Sequence, residues 1–181
     1  NELEKYQYIE QYFSYWKNLL YRTHSEFSRN RVLQLGSERK RLLGSIKTDA
    51  ARHIIDTELK DDRYICFCSS IAQSEELNKQ TSINSKVVDN ASLIDKFNKH
   101  ETNSWYCVGM LQEGQNLCDI EAGLIIQLDK EERSFVQKMG RVLRADKPKV
   151  YIMYVKNTND ELNFNKCMEE LKCKIELKFG K

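Results

Sequence analysis

The sequence has one proline, three histidines and no apolar run near the roughly 18 residues of a membrane-spanning helix. It has no internal repeat, no low-complexity tract and no Gly/Ser linker. Six cysteines are present, but none forms a C-x-x-C pair and no histidine stands at zinc-finger spacing, so no metal site is expected. Cys66, Cys68 and Cys107 lie in apolar, strand-like runs and read as reduced, mostly buried thiols of a cytosolic protein. Neither charge dominates: 29 Lys and Arg face 27 Asp and Glu, for a net charge of +2. That balance neither demands nor excludes a nucleic-acid partner, so local charge distribution must decide. The opening stretch NELEKYQYIEQ is charged and aromatic, unlike a signal peptide. It starts with Asn rather than Met, which leads us to expect an excerpt of a longer chain.

What is present is globular, with 40% hydrophobic residues in 181. Residues 1–58 read as a helical hairpin. Ile9, Tyr12, Phe13, Trp16, Leu19 and Leu20 recur at helical spacing, and after a break near His24–Asn30 so do Val32, Leu35, Leu42, Ile46, Ala50 and Ile54. Seven of the eighteen aromatic residues fall in the first 21 positions, and packing of these rings is expected over a base-stacking platform. The stretch from Arg22 to Arg52 is basic, so it can track phosphates or simply be solvated. The polar turn ELKDD marks an expected boundary near 58–63.

From Arg63 onward short apolar runs alternate with helical segments. YICFC (64–68), KVV (86–88), SWYCVG (104–109), AGLIIQL (122–128) and VYIMYV (150–155) are the expected strands. Helices are expected over 72–79, 92–98, 131–143 and 160–171. Continuous apolar strands spaced by helices predict an α/β fold with a parallel sheet covered on both faces. Pro148 stands just before the last run, where a proline opens a strand without breaking the ladder.

Ligands of such sheets sit beyond the carboxyl ends of the strands. Two of the following segments are informative. In GMLQEGQNLCD, Glu113-Gly114 allows close backbone approach and Asn116 adds an amide, although E-G also serves as a simple turn. In QKMGRVLR, Gln137, Arg141 and Arg144 share one helix face, while Val136, Met139 and Leu143 form a neighbouring apolar face. Gly140 beside that row keeps it low. Two guanidiniums in a row suit doubly charged oxygens such as phosphates. A solvated basic face is the plainer alternative.

These elements, in this order, resemble the second RecA-like domain of superfamily 2 helicases and translocases. YICFCSS (64–70) resembles motif IV, with Lys47 and the helix towards Ile55 similar to the segment that often precedes it. GMLQEGQNL (109–117) resembles motif V through Glu113, Gly114, Asn116 and Leu117. QKMGRVLR resembles motif VI, and NTNDE (157–161) the tail after the last strand. The resemblance implies a RecA-like fold and an ATP-dependent motor working with Mg2+. Arg144 would be the arginine finger, with Arg141 beside it and Gln137 fixing the interdomain contact. Glu113, Gly114 and Asn116 would border ATP. Ser69, Ser70 and the turn at Gly109 and Met110 would touch nucleic-acid phosphates. Two positions depart from the pattern: Lys138 replaces an arginine and loses its bidentate fork, and Val108 stands where a threonine is usual.

The chain contains no G-x-x-x-x-G-K-[ST] and no D-E-x-[HD]. In the family these belong to the first RecA-like domain, so the resemblance implies half an ATPase site, inactive alone. ATP and Mg2+ would be held mainly by that N-terminal domain of the same polypeptide. The expected partners are this domain and nucleic acid, with DNA favoured in repair, recombination or phage replication. No membrane is expected, and a monomer is. A second reading is a non-catalytic nucleic-acid-binding module using the basic hairpin 22–52. A third, an unrelated α/β enzyme, is disfavoured because His24, His53 and His100 have no catalytic partner at telling spacing.

Overall fold

The computed structural model describes residues 1–83, 90–108, 119–128, 140 and 147–170. They form two compact units, Asn1–Ile46 and Lys47–Lys181.

The first unit is a pair of helices, α1 (Glu2–Thr23) and α2 (Glu26–Ile46). Asn1 starts α1 with a capping box, its carboxamide oxygen accepting from the Leu3 N–H at 2.8 Å. His24 ends it in the left-handed conformation, φ 48°. Glu10 pairs with Arg39, Phe13 lies under the Arg39 guanidinium at 4.3 Å, and Trp16 meets Phe27 edge-on. Positions rising along α1 thus meet positions falling along α2, which makes the pair antiparallel. A two-helix pair can bury only one stripe of each helix. Tyr6 and Ile9 occupy it, whereas Tyr8, Tyr12, Tyr15 and Tyr21 are exposed, so ring packing accounts for only part of the aromatic cluster.

The second helical pattern is not one helix. It breaks at Lys47, and α3 (Thr48–Thr57) belongs to the second unit rather than to a hairpin reaching residue 58. The reason is packing: Ala51, Ile54 and Ile55 of α3 lie against strand residues Tyr64, Cys66 and Leu124.

That second unit is a five-stranded parallel sheet, ordered β2-β3-β1-β4-β5. Its strands are β1 (Tyr64–Cys68), β2 (Ser82–Ile83), β3 (Ser104–Val108), β4 (Ala122–Ile125) and β5 (Lys149–Ile152). Side chains alternate between the faces. Ile65, Phe67, Trp105, Cys107 and Ile125 face Leu93, Ile94 and Phe97 of α5 (Asn90–Asn98) and Phe164 and Cys167 of α6 (Asn159–Glu170). Tyr64, Cys66, Tyr106 and Leu124 face α3 and Leu77 of α4 (Ile71–Asn78). The expected α/β sheet covered on both faces is therefore present. β2 is a two-residue strand that periodicity did not reveal; the expected strand 86–88 and, except for Gly140, the expected helix 131–143 lie outside the described residues. Cys66, Cys68, Cys107 and Cys167 are all buried. Burial pushes the Cys66 thiol well up, so it stays protonated and unreactive at neutral pH. Among the described residues, no helix is long and apolar enough to cross a membrane.

Candidate functional site

The strand order reverses about β1, which directs attention to the carboxyl ends of β1, β4 and β5. Ser69 and Ser70 follow β1 directly. Ser70 caps α4, its hydroxyl oxygen accepting from the Gln73 N–H at 3.2 Å. Gln73 is buried and its carboxamide oxygen accepts from both the N–H and the hydroxyl of Ser69, each at 2.9 Å. On its other side Gln73 Nε2 donates to Thr48 Oγ1 at 3.0 Å.

Next to Thr48 is Lys47, only 4% exposed. Its ammonium donates to Gln127 Oε1 at 3.0 Å and to Asp160 Oδ2 at 2.5 Å. Gln127 stands two residues beyond β4, and its Nε2 donates to Asp160 Oδ1 at 2.8 Å. Asp160, in the first turn of α6 and wholly buried, also accepts from the Val155 N–H at 3.2 Å. Burial holds the Lys47 ammonium below the usual lysine range, outweighing the opposing pull of the Asp160 carboxylate. The result is a continuous polar line across three strand ends, from Ser69 through Gln73, Thr48 and Lys47 to Gln127 and Asp160.

Of the site residues expected from sequence, the structure places Ser69 and Ser70 at this end of the sheet. Gly109, Met110, Glu113, Gly114, Asn116, Gln137, Arg141 and Arg144 lie outside the described residues, as does Lys138. Gly140 is exposed, and among the described residues no atom lies within 4 Å of a Cβ built there. Val108 ends β3, partly buried against the cluster around Tyr106. The basic stretch is partly consumed: Arg39 is buried on Glu10 and Phe13, and Lys47 on Asp160. Among the described residues, no group of three or more His, Cys, Asp or Glu could hold a metal ion.

Sequence reasoning missed Gln73, Thr48 and Gln127. A signal existed for Gln127, the single polar residue in AGLIIQL, where a buried amide needs partners. Lys47 and Asp160 fell within quoted segments, but nothing in their spacing shows that they pair.

With that geometry in place, comparison with known proteins is direct. The chain matches the family described as helicase conserved C-terminal domain over residues 46–146, more than half its length, and it belongs to that family. Its fold is that of a RecA-like helicase C-terminal domain. Solved structures share the fold at low identity. Mss116p DEAD-box helicase domain 2, bound to an RNA duplex, matches with TM-score 0.58 and 19% identity, over 71% of this chain and 56% of that one. A DEAD-box protein from the hyperthermophile Methanococcus jannaschii gives 0.59 and 14%, over 73% and 39%. The Pyrococcus furiosus Hef helicase domain gives 0.54 and 15%, over 92% and 38%. The chain thus spans little more than half of the first structure and well under half of the others. No curated protein matches it by sequence.

Proposed function

We propose that this chain is the C-terminal motor domain of an ATP-dependent superfamily 2 helicase or translocase. The observation that carries the reading is the ordered set of motif-like segments, IV to VI, within a stretch matching the helicase C-terminal family. The reading is supported by the position of Ser69 and Ser70 directly after the carboxyl end of β1, since ligands of parallel sheets sit beyond that edge.

In this reading Arg144 and Arg141 stabilise the charge that develops during phosphoryl transfer, and Gln137 fixes the contact between lobes. Glu113, Gly114 and Asn116 border the nucleotide. Bound ATP with Mg2+ supplies the phosphoryl group and is held mainly by a partner RecA-like domain, because no phosphate cradle occurs in these 181 residues. Ser69, Ser70, Gly109 and Met110 contact the nucleic-acid backbone. DNA work is the reading's first choice; the RNA duplex belongs to Mss116p, so both nucleic acids enter the test.

The burial of Arg39 and Lys47 weakens the alternative of a basic-hairpin binding module. The experiment is ATP hydrolysis by the 181-residue chain and by the polypeptide joined to a phosphate-binding lobe, each with and without DNA or RNA. The expected result is no turnover by the chain alone and nucleic-acid-stimulated turnover by the joined form. Absence of stimulated hydrolysis in the joined form rejects the reading.

A further inference from the structure

The Ser69–Ser70 turn does not stand by itself. Gln73 takes both hydrogen-bond donors of Ser69 on one carboxamide oxygen, so the position of Ser69 depends on where that amide sits. Because the Ser69 N–H can only donate, the amide must present its oxygen to it and its Nε2 to Thr48. Thr48 is in turn the first residue of α3, and the residue before it is held by the buried Lys47–Asp160–Gln127 network.

Stability alone is a poor reason for that network. Replacing a buried ion pair with well-packed apolar residues is commonly neutral or stabilising. Here the pair is 4% and 0% exposed, and burial works against the lysine charge. Its distinguishing feature is location: it anchors the start of α3 at the ligand end of the sheet. We propose that Thr48, Lys47 and Asp160 are positioning residues for the Ser69–Ser70 turn, setting where that turn meets a phosphodiester backbone. This rests on the nucleic-acid reading given above.

The test uses the 181-residue chain and fluorescein-labelled DNA and RNA duplexes, followed by anisotropy at low salt, with thermal unfolding measured alongside. Thr48→Val nearly conserves volume and removes the Thr48 hydroxyl that accepts from Gln73 Nε2; Thr48→Ser keeps a hydroxyl there. Thr48→Val is expected to weaken binding about tenfold, the scale of one buried hydrogen bond lost from a partner. Thr48→Ser is expected to bind like the wild type. The Lys47→Met/Asp160→Leu double variant is expected to bind as weakly as Thr48→Val. Wild-type affinity in Thr48→Val, or equal losses in Thr48→Val and Thr48→Ser, overturns the proposal. If the double variant fails to fold, the threonine pair decides.

A Ser69→Ala/Ser70→Ala variant separates the two levels. If it binds like the wild type, or if the wild type does not bind, the nucleic-acid reading falls and the positioning role with it. If it binds weakly while Thr48→Val does not, only the positioning role falls.

Discussion

The two ends of the parallel sheet each bury a cation, and they do so differently. At the amino end Arg63 gives its guanidinium to three backbone carbonyls, those of Asp119, Thr102 and Phe97, and lies 4.3 Å from the centre of the Phe97 ring. Its own N–H donates to Glu121 Oε2 at 2.8 Å. Main-chain acceptors cannot be titrated away or substituted, so this end is a permanent plug joining α5 to the loop before β4. At the carboxyl end, among the described residues, Lys47 is held by the side chains of Gln127 and Asp160, which belong to segments following two different strands. A network of side chains can be tuned residue by residue, and it leads through Thr48 and Gln73 to Ser69. On the proposed function, the contrast separates scaffold from working end.

The largest expected effect breaks the carboxyl-end network one-sidedly. Asp160→Ala leaves Lys47 buried without its carboxylate and should cost roughly 3–5 kcal/mol in chemical denaturation. Arg63→Met comes next. It removes charge-assisted bonds and the ring contact, for a loss of about 2–3 kcal/mol, and nucleic-acid affinity per folded molecule should not change. A fall in affinity there would erase the distinction between the ends.

Between the two ends, the phenols of Tyr64 and Tyr106 share a 2.6 Å hydrogen bond in the core. Burial raises both above the usual tyrosine value of 10. Folding therefore keeps their protons while the unfolded chain releases them, so their stabilising contribution is complete below pH 10 and declines as pH rises above it. Tyr64→Phe strands one hydroxyl and should cost about 1–3 kcal/mol. Tyr64→Phe/Tyr106→Phe should cost less at pH 7 and flatten the alkaline decline in unfolding midpoint. The smallest effect is expected for Lys149→Met, which removes the pairing of an exposed ammonium with Asp62 at 2.8 Å and should leave the midpoint within error.

The scaffold was largely readable in advance. YICFC, SWYCV and the start of AGLIIQL are buried on both faces, so their apolar continuity reports the parallel sheet directly. β2 escaped because two residues carry no period. The helical region was overextended past Lys47 because its apolar spacing continues through the break, while the tertiary pull on α3 leaves no mark in the period. The motif-like segments were legible as an ordered set. The polar line was not, since its members are 33 to 113 residues apart in the Lys47–Gln127–Asp160 part and meet only once the sheet is assembled.

The central claim is that this domain completes an ATP site with arginines from QKMGRVLR. Its most direct measurement is nucleic-acid-stimulated ATP hydrolysis by the polypeptide joined to its phosphate-binding lobe, wild type against Arg144→Ala. The account predicts a fall in turnover of about 10³-fold or more with nucleic-acid binding retained; turnover equal to the wild type would contradict it.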